Sequence, residues 1–150
     1  MELDTELLRQ VPIFGGLRLE TLAFLLDRSA TIAFQEKEWL FREGESGCDL
    51  FILDKGKVEV VKTCGDHPVH LAYLEAGDCV GEMALLAVTP RSASVQAVTY
   101  CRAVRVTNGD LAALYARDVE QFAIVMMNLG REVARRLWVT NELLYDSRSG

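Results

Sequence analysis

Hydrophobic residues change their spacing twice along the chain, so three regions of different structure are predicted. In the first region, apolar residues stand three or four positions apart over residues 3–8 and again over residues 19–26. This spacing is typical of a helix that buries one face. Pro12 and the two glycines after it interrupt the pattern, so two short helices are predicted rather than one.

The middle region consists of short extended runs that glycine-containing turns separate. The turn sequences lie at residues 44–47, 54–56, 65–68 and 76–78. The runs between them are predicted to be strands: residues 31–34, 39–41, 50–53, 58–62, 69–74, 92–98 and 101–106. Strands this short, joined by tight turns, indicate a compact barrel or roll of antiparallel strands over residues 31–106.

Helical spacing returns in the last region. Asn108 is the expected N-cap of a short helix that ends near residue 117, and a proline-free helix follows over residues 119–145. Its apolar or small positions alternate in steps of four and three, like a coiled-coil seam: Phe122, Met126, Leu129, Val133, Leu137, Thr140 and Leu144. Further apolar residues widen this stripe, so the helix is expected to pack on its own domain and also on a partner helix, which makes a homodimer the expected assembly.

Composition narrows the class of protein. With 150 residues, 50% of them hydrophobic, and no proline- or glycine-rich linker, residues 1–150 are expected to form one domain. A net charge of −6 argues against a nucleic-acid partner for this chain. No apolar run is long enough for a membrane span, and the acidic N-terminus is unlike a signal peptide, so we expect a cytoplasmic protein that does not enter a membrane.

Reactive side chains follow no arrangement that catalysis or metal binding would need. The four cysteines, at positions 48, 64, 79 and 101, are far apart and contain no Cys-x-x-Cys pair, so reduced thiols are expected. His67 and His70 are predicted to be solvated residues of a hairpin turn rather than metal ligands. There is no glycine-flanked serine, paired-carboxylate motif or phosphate loop, so we predict no enzyme and no metal.

One segment does combine groups that suit a small anion. Gly81 follows an apparent strand end and precedes helix-forming residues from Glu82 to Val88, so the first amides of a short helix would be free to face an anion. Pro90 ends that helix, and Arg91 follows it with a permanently charged fork that can bind two phosphate oxygens.

Glu82 would repel a phosphate unless the same ligand offers its carboxylate a donor, and a ribose hydroxyl is such a donor. A cyclic nucleotide carries a singly charged phosphate and a free ribose hydroxyl on one rigid bicycle. Taken alone, Glu82 also fits an acid at a helix start, and Arg91 also fits a surface ion pair.

The sequence Gly-Glu-Met-Ala-Leu-Leu from Gly81, followed by Pro-Arg-Ser-Ala-Ser-Val from Pro90, is similar to the phosphate-binding cassette of cyclic-nucleotide-binding domains. The resemblance implies that the phosphate and the ribose 2′-hydroxyl are held by the cassette residues Gly81, Glu82, Met83, Ala84, Arg91, Ser92 and Ala93. Val80 departs from the family, which has an aromatic residue before the glycine. The resemblance extends over residues 41–45, 50–58 and 77–78, and implies an α+β fold: an antiparallel double-stranded β-helix (β-roll or jelly roll) with N-terminal helices and a long C-terminal helix.

Residues 134–142 resemble the dimerisation helix of the bacterial cyclic AMP receptors, the catabolite activator family. This implies that Thr140 and Asn141 reach the adenine from the two subunits, and that Arg136 lies near Glu82. Asn141 replaces a serine. Trp138 is a further candidate, as a cap that stacks on the purine.

These observations predict a cyclic-nucleotide sensor that binds cyclic AMP, with cyclic GMP as the other possible ligand, and transmits binding through its last helix. Two alternatives stay open. One is the ligand-binding part of a transcription regulator of this family whose DNA-binding domain is absent from this chain. The other is an interaction domain that binds no ligand.

Overall fold

The computed structural model describes residues 5–149 and begins with three short helical segments. These are helix α1 (Thr5–Arg9), a 3-10 turn (Pro12–Phe14) and helix α2 (Leu19–Arg28). Both N-terminal helices are therefore present as predicted, although Leu3 and Asp4 of the first predicted helix lie outside the described residues. Pro12 occupies the first position of the 3-10 turn, where its missing N–H costs no hydrogen bond.

Within residues 5–149, two antiparallel sheets of four strands form the middle of the chain. Their orders are β1-β8-β3-β6 and β2-β7-β4-β5, with every pairing antiparallel. The strands are β1 (Ala30–Phe34), β2 (Trp39–Phe41), β3 (Leu50–Lys55), β4 (Lys57–Cys64), β5 (His67–Glu75), β6 (Cys79–Val80), β7 (Ser94–Ala97) and β8 (Cys101–Val106). The predicted α+β roll is confirmed.

Several strand boundaries differ from the prediction by one or two residues, and two of these differences change the setting of candidate residues. The turn between β4 and β5 is shorter than expected, so His67 and His70 are exposed strand residues rather than loop residues, and His70 Nδ1 lies 2.6 Å from Glu59 Oε2. Strand β7 begins at Ser94 instead of residue 92. Arg91 is instead tied to the turn after β2, since its N–H donates to Glu45 O (2.9 Å) and its carbonyl accepts from the Gly44 N–H (2.8 Å).

The hydrophobic core has two parts, one on each side of the sheet that contains β3 and β8. Residues that point between the two sheets form one part, around Phe51, Val58 and Val95. The opposite face packs against the helices through residues such as Ile52, Leu25 and Leu129. β3 is buried at every residue except Lys55 because it supplies side chains to both parts.

Three helices complete the fold: α3 (Glu82–Ala87), α4 (Asn108–Arg117) and α5 (Val119–Ser149). The N-cap of α4 is Thr107, not Asn108 as predicted. The Thr107 hydroxyl accepts from the Asp110 N–H (3.1 Å), and the Asp110 carboxylate accepts from the Thr107 N–H (3.0 Å), a reciprocal capping box. No helix within residues 5–149 has the length and hydropathy that crossing a membrane requires.

The long helix α5 packs on the domain only along its first half. Val125, Leu129 and Glu132 are buried, and Phe122 and Met126 are partly buried against the core. The first half of the predicted coiled-coil seam therefore faces the helix's own domain. From Leu137 to Ser149 every residue is exposed, so the roll buries none of the side chains at this end of α5.

Candidate functional site

A cavity of about 310 Å³ lies between the sheet containing β4 and β5, helix α3 and helix α5. Nine of the ten predicted site residues line it: Gly81, Glu82, Met83, Ala84, Arg91, Ser92, Ala93, Arg136 and Thr140. Asn141 does not line this cavity, and it is exposed on α5. The fold thus brings the cassette and one turn of the last helix together, although they are more than 40 residues apart in sequence.

Gly81 permits the close packing at the base of this cavity. Its φ of +93° is left-handed, and a Cβ added there would lie 2.7 Å from both Arg91 Nη1 and the Asp49 carbonyl oxygen. α3 begins at the next residue, so the N–H groups of its first turn have no acceptor inside the helix.

Arg91 brings a buried positive charge to the cavity. Its Nη1 donates to the Asp49 carbonyl (3.0 Å), and its guanidinium carbon lies 4.1 Å from the centre of the Phe41 ring. Burial lowers the pKa of Arg91, yet an arginine remains charged. None of the ion pairs within residues 5–149 includes Arg91. The cavity therefore contains a cation that no carboxylate contacts directly.

Glu82 is the acidic group of the cavity, and its two oxygens have different surroundings. Oε1 accepts from Arg136 Nη1 at 2.5 Å. Oε2 is buried and has no hydrogen-bond partner in the protein. A buried carboxylate oxygen without a partner is costly, so this atom favours a ligand that brings a donor to it.

Arg136 connects α5 to the cassette and to the strand before it. Its Nη1 donates to Glu82, as described above. Its Nη2 donates to the Cys79 carbonyl (2.8 Å), and its Nε donates to Glu132 Oε1 (3.1 Å). Burial by itself would lower the pKa of Arg136, but the nearby Glu82 and Glu132 carboxylates outweigh this effect, and the pKa is raised. The sequence analysis did not identify Glu132, which is buried one helical turn before Arg136.

Ser92 and Ala93 stand at the mouth of the cavity, in the segment between α3 and β7. The Ser92 carbonyl accepts from Lys62 Nζ (2.7 Å), and Lys62 also pairs with Glu43 Oε2 (3.2 Å). The Thr63 N–H and the Lys62 ammonium lower the pKa of the half-buried Glu43 carboxyl. These bonds hold the segment next to Arg91 against β4.

The remaining wall of the cavity is apolar, and the sequence analysis assigned none of its residues to the site. It consists of Phe41, Val60, Leu71, Leu74, Val80 and Val95. In the sequence these residues show only the alternation of apolar positions that is typical of strands. Core residues show the same alternation, so it does not identify the wall of a site. On α5, Thr140 lines the cavity with its hydroxyl bonded to the Arg136 carbonyl (2.9 Å), whereas Trp138 is 64% exposed and does not line it.

Residues 31–118, more than half of the chain, match the model of the cyclic nucleotide-binding domain family. The chain belongs to this family. The match covers the whole roll, the cassette and helix α4, so the resemblance found in the sequence is confirmed.

Individual relatives agree with this assignment. The domain is 30% identical over 142 residues to a CRP-like cAMP-activated global transcriptional regulator of Mycobacterium tuberculosis, covering 94% of this chain and 62% of that protein. It resembles the crystal structure of the Thermus thermophilus catabolite activator protein with a TM-score of 0.79 at 32% identity, covering 92% of this chain and 63% of the other. A cyclic nucleotide-binding domain of Methylobacillus flagellatus, 22% identical, shares the fold with a TM-score of 0.85 over 96% of this chain and 85% of the other. The chain thus spans less than two thirds of the length of the first two relatives.

Proposed function

We propose that this domain is a cytoplasmic regulatory module that binds cyclic AMP and transmits binding through α5. One observation carries the proposal. The Arg91 guanidinium, which has no carboxylate in contact with it, and Glu82 Oε2, which has no hydrogen-bond partner in the protein, belong to residues that line the same cavity. A cyclic nucleotide supplies the missing partner of each group, an anionic phosphate for Arg91 and a ribose hydroxyl for Glu82. Each is a charge-assisted hydrogen bond, stronger than a bond between neutral groups.

The other lining residues complete the proposed recognition. The free amides of Glu82, Met83 and Ala84 and the hydroxyl of Ser92 would add neutral donors to the phosphate. The apolar wall from β4 and β5 would pack against the sugar and the base. Thr140, which lines the cavity, would meet the base from α5. The mycobacterial relative, which matches 142 residues of this chain, is described as cAMP-activated, and this supports adenine over guanine.

Transmission follows from the position of Arg136 and Thr140 on α5. A ligand that contacts both the cassette and this helix stabilises the arrangement in which they meet. Binding would therefore shift the equilibrium between arrangements of α5. The free energy of this shift cannot exceed the difference in ligand binding free energy between those arrangements.

We also propose that the module is a homodimer through α5. The exposed end of the helix, residues 137–149, is about 20 Å long, and a helix of this length is marginal in water without a partner. A stripe of apolar or small residues and one amide runs along the side of α5 turned away from its own domain, in alternating steps of three and four: Met127, Gly130, Ala134, Leu137, Asn141 and Leu144. We call it the α5 stripe. It is displaced by about one residue from the predicted seam because the first half of that seam is occupied by the domain core.

Calorimetric titration of nucleotide-free protein with cyclic AMP and cyclic GMP in parallel tests the proposal. Saturable binding with a preference for cyclic AMP is expected. Arg91→Ala removes at least two charge-assisted hydrogen bonds to the phosphate, which corresponds to about 3 kcal/mol or more and about a hundredfold or more in affinity.

Two variants control this experiment. Arg91→Lys keeps the charge without the planar fork and is expected to bind with intermediate affinity. Arg148→Ala removes an exposed arginine at the far end of α5 and should bind like the wild type. Binding by Arg91→Ala at wild-type affinity would contradict the assignment of the cavity, and no binding of either nucleotide by the wild type would favour the interaction domain.

A second candidate is the same module acting within a longer transcription regulator. The observation in its favour is that the mycobacterial relative is described as a transcriptional regulator and that this chain covers 62% of it. The size of the protein detected in cell extracts by an antibody against residues 1–150 would decide between the two candidates.

A further inference from the structure

Arg136 is held by three acceptors on three different segments. Its Nη1 reaches Glu82 Oε1 at the start of α3, its Nη2 reaches the Cys79 carbonyl at β6, and its Nε reaches Glu132 Oε1 on α5 itself. Each acceptor takes one arm of the guanidinium, so Glu82 receives one hydrogen bond rather than two.

Glu132 is the third of these acceptors, and it is buried. Its residue exposure is 7%, and it also accepts from Arg135 through both carboxylate oxygens, at 2.6 and 3.3 Å. The Arg135 hydrogen bond, together with the charges of both arginines, lowers the pKa of Glu132. A carboxylate this buried is retained as an anion because two guanidinium groups satisfy it.

The arrangement matters because arginine and a carboxylate otherwise favour a bidentate pair. A guanidinium that is free to turn presents two parallel N–H groups to both oxygens of one carboxylate. For Glu82 this geometry would occupy Oε2, the atom that has no partner in the protein. The bond from Nε to Glu132, together with the bond from Nη2 to the Cys79 carbonyl, holds the plane of Arg136 so that one donor alone points at Glu82.

We propose that Glu132 is a positioning residue that holds Arg136 on one oxygen of Glu82 and so keeps the other oxygen available to the ribose hydroxyl. Glu132 does not touch the ligand in this arrangement, since it lies outside the cavity. The inference rests on the proposed function, because it assigns a ribose hydroxyl to Glu82.

Total affinity is a poor readout for this role. Glu132 carries a negative charge near a site for an anion, so Glu132→Met removes a repulsion at the same time as it removes the oxygens that hold Arg136, one of which a glutamine would retain. The charge effect acts on any cyclic phosphate, whereas the orientation effect acts only on a ligand with a ribose hydroxyl. The ratio of the affinities for cyclic AMP and 2′-deoxy cyclic AMP isolates the second effect.

The experiment titrates both nucleotides into the wild type, Glu132→Met and the matched control Glu120→Met, an exposed glutamate at the start of the same helix. The wild type and the control are expected to prefer cyclic AMP by about tenfold or more, as for one hydrogen bond to a charged group. In Glu132→Met this preference should fall to about threefold or less. A preference equal to that of the wild type would overturn the inference, because a merely structural role weakens both ligands alike.

Other outcomes separate this inference from the proposed function. A wild type that binds both nucleotides equally would overturn the inference and leave cyclic-nucleotide binding in place. A wild type that binds neither would overturn both. If Glu132→Met does not fold, Arg136→Lys replaces it. An ammonium cannot hold three acceptors in a fixed plane, so the preference should again fall, and a wild-type preference there overturns the inference.

Discussion

Gly81 is the position where a single methyl group should disturb both stability and the site. The alanine of Gly81→Ala must adopt φ near +93°, which costs about 1–2 kcal/mol for a residue with a Cβ. The new Cβ would also lie 2.7 Å from the Asp49 carbonyl oxygen, which is backbone and cannot rotate away, and 2.7 Å from Arg91 Nη1. Relief of this overlap should cost about 1–3 kcal/mol more and displace Arg91 from the position in which it faces the cavity.

Gly77→Ala provides the matched control for this experiment. Gly77 has a similar φ of +98°, but a Cβ there would meet no atom closer than 3.9 Å, so this variant measures the backbone cost alone. With a slope of about 2 kcal/mol per molar urea, the midpoint of Gly81→Ala should lie about 0.5–1.5 M below that of Gly77→Ala. Cyclic AMP affinity should fall in Gly81→Ala and be retained in Gly77→Ala. Equal midpoints together with wild-type affinity in Gly81→Ala would refute the packing argument.

Two further predictions concern α5. Leu137→Glu places a charge in the α5 stripe at a residue that is 59% exposed, so sedimentation should show a folded monomer. The control Leu143→Glu, at an exposed leucine on another side of the helix, should remain dimeric. A dimeric Leu137→Glu would contradict the proposed interface. The pKa of Glu132 is below its ordinary value of 4.5 because of its bond from Arg135 and the charges of both arginines, so its contribution to stability is present above that value and lost as the pH falls through the folded-state pKa. The stability difference between the wild type and Glu132→Gln should therefore shrink on acidification from about pH 6 to about pH 3 in urea titrations, and a difference independent of pH would contradict this.

Most of the secondary structure follows from local patterns. The spacing of apolar residues and the turn signals placed seven of the eight strands within residues 5–149, and the α-helices, within a few positions, because burial on one face of an element repeats with the geometry of that element. The two-residue strand β6 was recognised only as a strand end before Gly81. The errors are local as well. Thr107 and Asp110 form a reciprocal cap, which a search for a single capping residue at Asn108 misses. The β4–β5 hairpin continues its pairing through Pro68, which lies on an edge strand where its missing N–H is tolerated.

The site was predictable where its residues are adjacent in sequence. Gly81, Glu82, Arg91 and Ser92 lie within 12 positions of one another, so their charges and backbone requirements can be recognised together. Glu132 could not be found in this way. Its role depends on the burial of one face of α5 and on the distance between its carboxylate and Arg136, and an Arg-Arg pair with a nearby glutamate is also common on solvated helices.

The sequence by itself determined the family, the order of the elements and the chemistry of the cassette, because turn glycines, hydrophobic periods and a short motif are properties of neighbouring residues. Only the tertiary structure decided which oxygen of Glu82 is left without a partner, that Arg91 has no carboxylate in contact with it, and which side of α5 is free. Each of these depends on distances between residues far apart in the chain, and such distances are fixed by the packing of the roll against α5.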